Sequence, residues 1–255
     1  HQAKDAAQVR GGTLGLTGPR QTYRAEGSVT GFQLDRVVTG LPDALVTGRF
    51  SVEGSGFDLV DLEGQLSVDL LAATVGEIEF YRGTLRGRVA DGIARVDTFS
   101  VRTEVGDAGA QGTFGLVESR TGELAVSVRA DSLVFLEPVL FADAPVVDVG
   151  LDEASRVDGL VTVDGRVAGS IVDWRVSGTA RVRSLLYDQL EVGRGRLELA
   201  WEPDSVHLDA SLDSLRYGPR RLSSVRSALD YVAGEGRVTA DIQGRRGQRL
   251  DVEST

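Results

Sequence analysis

The chain has 255 residues and a formal net charge of −10, so long-range attraction to nucleic acid phosphates or to an anionic membrane surface is not expected. Apolar residues make up 41% of the chain and charged residues 26%, a balance typical of a folded protein. Cys is absent, which excludes disulfides, thiolate metal sites and a Cys nucleophile. No stretch is long and apolar enough to predict a transmembrane helix.

The first half of the chain predicts one β unit preceded by a short edge. Residues 1–24 show little regular alternation, and we expect them to be a strand-poor or incomplete N-terminal edge. The first β repeat unit is predicted at residues 25–130. Within it, residues 34–45 combine an apolar cluster, a Pro and acidic side chains, which indicates a short helix or loop. From Val46 onward apolar and polar residues alternate with a period of two, as they do in strands with one apolar face.

The second half predicts a similar unit at residues 131–255, beginning with a short helix or loop segment at residues 131–156. Asp131 or Ser132 is placed to cap a brief helix that Pro138 would limit. Turn residues such as Asp91-Gly92 recur every 8 to 12 positions, a spacing typical of hairpins.

The two halves are related by an internal repeat. Gly159 follows Gly48 by 111 residues, and Gly165 follows Gly54 by the same interval. A long repeat is typical of proteins that extend along one axis by adding similar units. The absence of Met, with His1 at the start, leads us to expect an internal segment of a longer protein.

Strands with one apolar face bury it in two packed sheets, in a closed barrel, or in a long sheet curled into a trough. The apolar positions are mostly Val and Leu, and aromatic residues make up only 6% of the chain. This composition favours the trough, although the same side chains also suit a closed core, and both interpretations remain open at this point.

The strand rhythm resembles the repeats of the AsmA-like superfamily, and in particular its TamB-type (translocation and assembly module) members. The resemblance rests on Leu45-Val-Thr-Gly-Arg-Phe-Ser-Val-Glu-Gly54 and on Val157-Asp-Gly-Leu-Val-Thr-Val-Asp-Gly-Arg-Val167. Trp174-Arg-Val-Ser-Gly178 and Val192-Gly-Arg-Gly-Arg-Leu197 extend it. The pattern covers roughly residues 25–244, but it is a rhythm of strands and contains no set of reacting side chains.

The resemblance implies an elongated, repetitive antiparallel sheet that is curled into a groove, apolar inside and polar outside. It also implies a bridge in the periplasm of a diderm bacterium, anchored in the inner membrane by a region outside this segment. Phospholipid would be the ligand, and an outer-membrane barrel-assembly protein a partner. Nucleic acid is not expected as a partner, and no cofactor is expected.

On the groove hypothesis, fifteen alternating apolar residues line the lipid path. They are Leu66, Val68, Ile78, Phe80, Leu85, Phe99, Val101, Leu124, Val126, Val161, Val163, Leu197, Leu199, Val206 and Leu208. The alternative is a non-enzymatic structural or adhesive β-solenoid or scaffold of the cell envelope, in which the same residues fill a closed core. The long repeat disfavours a solenoid, since solenoid coils have a much shorter period.

No catalytic or metal site is predicted. Only His1 and His207 are present, and alternation places His207 on the polar face between Val206 and Leu208. Glu77 and Glu79 share a strand face, where two carboxylates are typically solvated. Gly193-Arg-Gly195 lacks the third glycine and the helix of a nucleotide-binding loop. We therefore expect a protein that is not an enzyme.

Overall fold

The computed structural model describes residues 6–15, 21–33, 43–76, 78–131, 157–187, 190–233, 235–244 and 249–254. Within these ranges the protein consists of strands and turns, without a helix. The first eight strands are β1 (Ala6–Gly15), β2 (Thr22–Gln33), β3 (Ala44–Ser55), β4 (Glu63–Val75), β5 (Ile78–Ala90), β6 (Ile93–Thr103), β7 (Gly106–Gly115) and β8 (Gly122–Ala130). The others are β9 (Val157–Gly169), β10 (Trp174–Tyr187), β11 (Leu190–Glu202), β12 (Ser205–Tyr217), β13 (Arg220–Val232), β14 (Glu235–Gly244) and β15 (Arg249–Ser254).

The strands are hydrogen-bonded in the order in which they occur in the chain, from β1 to β15. Many successive strands, such as β5 and β6, are separated by only two residues, and so short a connection can join only antiparallel neighbours. At the β5–β6 turn, Asp91 and Gly92 both have positive φ, 53° and 71°, the conformation that type I′ hairpins require. The predicted all-β, repetitive antiparallel sheet is therefore confirmed.

The chain divides into two compact units. Unit 1 comprises His1–Val126 and Val167–Trp174, and unit 2 comprises Ser127–Arg166 and Arg175–Thr255. Residues 1–24, expected to be a strand-poor or incomplete N-terminal edge, contain β1 and the start of β2, and β1 is the first strand in the order. A shift in pairing between Val9 and Gly11 interrupts the alternation of β1, which is why the sequence pattern did not predict a strand there.

Strand order confirms the internal repeat. The ranges of β4, β5 and β6 recur as β10, β11 and β12, starting 111 or 112 residues later. The segments predicted as short helices or loops, 34–45 and 131–156, lie almost entirely outside the described residues. Only their margins are described: residues 44–45 belong to β3, and residue 131 follows β8.

Strict alternation is interrupted on neighbouring strands within each unit. On β4, half-buried Leu70 is followed by two exposed residues, Leu71 and Ala72, and then by buried Ala73. β5 shows the same sequence of burial around the exposed residues 81–82. As a result, two residues three positions apart are both shielded from solvent. In a regular strand, residues on the same face are two or four positions apart.

In unit 2 the same interruption follows 112 residues later. The exposed pairs that match those of unit 1 are residues 183–184 on β10 and 193–194 on β11. β12 adds a third exposed pair, residues 213–214, which has no counterpart at residues 101–102 of β6. Ser184 and Ser214 adopt the left-handed conformation, with φ of 53° and 59°, which non-glycine residues adopt only when the surrounding structure holds them there. The repeat therefore includes this interruption of the strands as well as their order.

Candidate functional site: an amphipathic sheet face

Cross-strand pairing gathers the apolar residues of unit 1 into rows that run across β2 to β7. One row contains Gly27, Phe50, Val68, Leu85, Phe99 and Ala110. A second contains Ala25, Val52, Leu66, Gly87, Val96 and Gly112, and a third contains Val29, Gly48, Leu70, Gly83, Val101 and Ala108. Residues paired directly across antiparallel strands share a face, so these rows form one apolar surface.

Glycines on this surface make room for the side chains of neighbouring strands. A Cβ added at Gly83 would lie 3.1 Å from the Cβ of Leu70 and 3.2 Å from its Cδ2. At the end of the surface, a Cβ at Gly54 would lie 2.8 Å from Cζ of Tyr23, and the Tyr23 ring also packs 5.5 Å from that of Phe57. The large side chains therefore lie over glycine backbone on the adjacent strand.

Unit 2 presents an equivalent surface with fewer glycines. Its rows are Val182, Gly195, Leu212, Val225 and Ile242; Ala180, Leu197, Ala210, Ser227 and Ala240; and Gly178, Leu199, Leu208, Leu229 and Val238. A further row contains Val176, Trp201, Val206, Tyr231 and Gly236, and another contains Leu185, Val192, Leu215 and Leu222. Aliphatic side chains therefore dominate this face.

The pairing places nine of the fifteen predicted lining residues on these two surfaces. The nine are Leu66, Val68, Leu85, Phe99, Val101, Leu197, Leu199, Val206 and Leu208. Phe80 lies opposite Ala73 and Ile78 opposite Val75, beyond the interruption in β4 and β5. Leu124 and Val126 on β8, and Val161 and Val163 on β9, are half-buried.

None of the fifteen residues is buried. Leu66 and Leu199 are each 39% exposed and Phe99 is 37% exposed, whereas the other twelve are half-buried. Among the described residues the buried apolar side chains are only Ala44, Ala73, Ala130, Val192 and Leu215. A protein interior normally covers its large aliphatic and aromatic side chains almost completely. The apolar faces of the two units are thus incompletely covered.

Sequence reasoning missed the best-covered part of unit 2. Val192 is 2% exposed and Leu215 is 8% exposed, and the two residues are directly paired. Neither was predicted, because each lies three positions from the next apolar-face residue, Gly195 or Leu212. The sequence does contain a sign of these positions, because residues of the apolar face are spaced three apart on two neighbouring strands. A pattern of strict alternation does not include that spacing.

The opposite face of unit 1 carries ion pairs. Arg86 donates two hydrogen bonds to the carboxylate of Asp69, at 2.7 and 2.9 Å, and a third to the carbonyl oxygen of Val68 at 2.9 Å. Arg24 lies 3.9 Å from Glu53. These groups are 39–63% exposed, so each pair contributes little stability. Their main effect is to keep this face hydrated.

His207 lies on the corresponding polar face of unit 2, as predicted. Its Nδ1 is 2.5 Å from Asp230 and its Nε2 is 2.8 Å from Asp209. Hydrogen bonds to these carboxylates, first Asp230 and then Asp209, raise the pKa of His207 above its ordinary value. Because both ring nitrogens contact carboxylates, neither is directed at a nucleophile, and this cluster does not form a catalytic triad.

The part of the chain that the structure describes contains no group of three or more metal-ligating side chains arranged to hold an ion. In the same ranges no helix is long and apolar enough to cross a bilayer. Glu77, considered above beside Glu79, lies outside the described residues.

A scan of protein-family models finds none that matches this chain, and neither curated proteins nor solved structures give a significant match. The resemblance to the AsmA-like superfamily therefore stays a prediction from the sequence.

Proposed function

We propose that this chain is a periplasmic segment of a bridge-like lipid-transfer protein, which holds phospholipid acyl chains along its apolar sheet face between the inner and outer membranes. It would act without catalysis. The observation that carries the proposal is the incomplete burial of the fifteen predicted lining residues. An apolar surface of this extent, with a charged opposite face, needs an apolar partner in water.

The chemistry of the apolar face suits a ligand that slides. Its rows consist mainly of Val, Leu, Ile, Ala and Gly, and polar side chains such as Ser227 are rare there. Each methylene leaving water gains about 0.8 kcal/mol, so an acyl chain of about 16 carbons would lose on the order of 10 kcal/mol at a hydrated gap. A face of similar aliphatic rows avoids such a gap and offers no fixed polar group that would hold a lipid in one place.

The second candidate is a scaffold of the cell envelope with a closed core. It requires the same rows to be covered by protein. Within the described residues that cover is incomplete: Val192 and Leu215 are buried, but Leu199 is 39% exposed. Row residues with this exposure favour an external apolar ligand over a filled interior.

Purification of the chain from a diderm host without detergent, followed by mass spectrometry of bound lipid, tests the proposal. We expect near-stoichiometric phospholipid. A well-folded product free of lipid would contradict the proposal and favour the scaffold.

Two neighbouring residues of β8 provide a matched pair of variants. Val126 is half-buried on the predicted lipid face, whereas Ser127 is exposed. We expect Val126→Asp to lower bound lipid at least about tenfold, because a charge beside an acyl chain is poorly solvated. Ser127→Asp adds the same charge and should leave bound lipid unchanged. If Val126→Asp simply unfolds the protein, the closed-core interpretation is the better one.

A further inference from the structure

The polar face of unit 2 carries an unusual block of four arginines on β10 and β11. Arg181 lies directly opposite Arg196, and Arg183 lies directly opposite Arg194. Side chains in directly opposite positions have Cβ atoms about 5 Å apart, and like charges placed there repel each other. Two such pairs in succession concentrate positive charge in one part of a chain whose net charge is −10.

In the first of these pairs, Arg181 and Arg196, each guanidinium group is neutralised by a carboxylate of the protein. Arg181 contacts Asp164 at 2.7 Å, and Arg196 contacts Glu198 at 2.5 Å. The second pair is different, because Arg183 and Arg194 form no ion pair with any residue in the described ranges. Both are exposed, at the level where the alternation of the strands is interrupted.

Unit 1 shows what a cross-strand arginine pair binds when a carboxylate is available. Arg88 lies directly opposite Arg95, and the Oδ1 atom of Asp97 lies between them, 3.3 Å from Nη2 of Arg88 and 2.9 Å from Nε of Arg95. Asp97 occupies a bulge, because pairing between β6 and β7 shifts between Val96 and Phe99. A single anionic oxygen therefore bridges both guanidinium groups.

No register shift interrupts the pairing of β10 with β11, and no bulged carboxylate occupies the corresponding place between Arg183 and Arg194. On β12, Asp213 lies directly opposite Arg194, but the two do not form an ion pair. Arg183 and Arg194 are both exposed, so an external anion has access to both guanidinium groups.

We propose that Arg183 and Arg194 form a binding site for a phosphate-bearing anion on the polar face of unit 2. Guanidinium groups bind phosphate oxygens through paired, charge-assisted hydrogen bonds, and the anion takes the position that Asp97 occupies in unit 1. The phosphate belongs either to a lipid head group or to a soluble phosphate compound. The site does not depend on the proposed lipid path, which uses the opposite face.

Titration of the full chain with inorganic phosphate, followed by NMR of the arginine side-chain Nε–H groups, tests the site. We expect shifts at Arg183 and Arg194 that saturate, and about tenfold weaker binding in R183Q/R194Q. The control R88Q/R95Q removes the same charge from a pair that already has its carboxylate, and should bind like the wild type. Absence of saturable shifts, or equal loss in both double variants, would overturn the proposal.

Asp213→Asn provides a change in the opposite direction. Removing a negative charge directly opposite Arg194 should tighten phosphate binding by about two- to threefold. Tighter binding in this variant shows that the anion lies close to Arg194, and an unchanged or weaker affinity counts against the site. All of these residues are exposed or lie on the polar face, and thermal melts of each variant establish that the fold is retained.

Flotation with vesicles distinguishes the two sources of phosphate. Vesicles of phosphatidylcholine with phosphatidic acid present a phosphomonoester at a surface, and vesicles of phosphatidylcholine alone do not. Recruitment to the first kind only, lost in R183Q/R194Q, identifies a lipid head group as the ligand. Binding of inorganic phosphate without recruitment identifies a soluble phosphate compound.

Discussion

Units 1 and 2 share one plan of strands but complete it with different side chains. Over the strand pairs from β1 to β7, unit 1 has six shifts of register, whereas unit 2 has one from β10 to β15, between Leu222 and Ser224. The apolar rows of unit 1 combine aromatic residues such as Phe50 and Phe99 with glycines on adjacent strands. Those of unit 2 have fewer glycines and a larger aliphatic share, and their aromatic residues, Trp201 and Tyr231, lie in one row.

This difference shows which features the repeat requires. Both units have the interruption of alternation, 112 residues apart along the chain, so it belongs to the backbone pattern that the repeat shares. Bulges, glycines and the choice between aromatic and aliphatic side chains vary, because an apolar face needs only a suitable total volume and pattern. Bulges bend strands and increase their twist, so unit 1 has more sites of local bending than unit 2.

The largest expected effect distinguishes covered from uncovered positions on one strand of unit 2. Val192 is 2% exposed, whereas Leu199 is 39% exposed. We expect Val192→Asp to lower the free energy of unfolding by more than about 3 kcal/mol, since its carboxylate would be buried without a partner. Leu199→Asp should cost about 1 kcal/mol or less, because its charge reaches water.

Urea denaturation of both variants measures this difference, and lipid mass spectrometry adds a second readout. Leu199→Asp should remain folded while losing bound lipid. If both substitutions destabilise the protein equally, Leu199 is a core residue and the proposed lipid face in unit 2 is wrong.

The sequence predicted the class of fold because that information is local. Alternation and turn residues such as Asp91-Gly92 determine strands and hairpins one at a time, and short connections leave little choice of partner. The positions of Val192 and Leu215 depend instead on a non-local feature, an interruption held in register across several strands. The Arg183–Arg194 pair was not predicted either, because pairing across strands depends on register, which composition does not specify.

A second prediction compares glycines on the two apolar faces. A Cβ at Gly83 would meet the Cβ of Leu70 at 3.1 Å, which is fixed to the backbone. At Gly195 the close atom is Cδ2 of Leu212 at 2.7 Å, which a rotamer change can move. We expect Gly83→Ala to destabilise by about 1 kcal/mol, and Gly195→Ala to be neutral or stabilising by up to about 0.5 kcal/mol. Thermal melts decide, and the reverse order would show that the Gly83 side of unit 1 is loosely packed.

A third prediction concerns a substitution that gives unit 1 an arginine pair without a carboxylate, as in unit 2. Asp97→Asn removes the carboxylate between Arg88 and Arg95, and should cost about 0.5 kcal/mol because all three groups are substantially exposed. The resulting arginine pair resembles Arg183 and Arg194, so we expect it to gain phosphate binding, seen as new saturable NMR shifts at Arg88 and Arg95. Loss of stability without any gain of binding would show that an unneutralised arginine pair is insufficient for a phosphate site.

The smallest expected effect concerns pH and is confined to unit 2. Asp230 and Asp209 raise the pKa of His207 in the folded state, so the protonated imidazole favours folding. This contribution is complete below the unfolded pKa, about 6.5, and is lost as the pH rises through the higher folded value. The melting temperature should therefore fall as the pH rises from 5 to 9, and His207→Gln should remove the part of this fall that depends on the imidazole.

Asp230→Asn removes one of the two carboxylates that contact His207. It should reduce the fall in melting temperature without abolishing it, because Asp209 remains on Nε2. Asp230 is also directly paired with Arg237. An unchanged pH profile in His207→Gln would mean that solvent screens both carboxylates and that the cluster contributes nothing to stability.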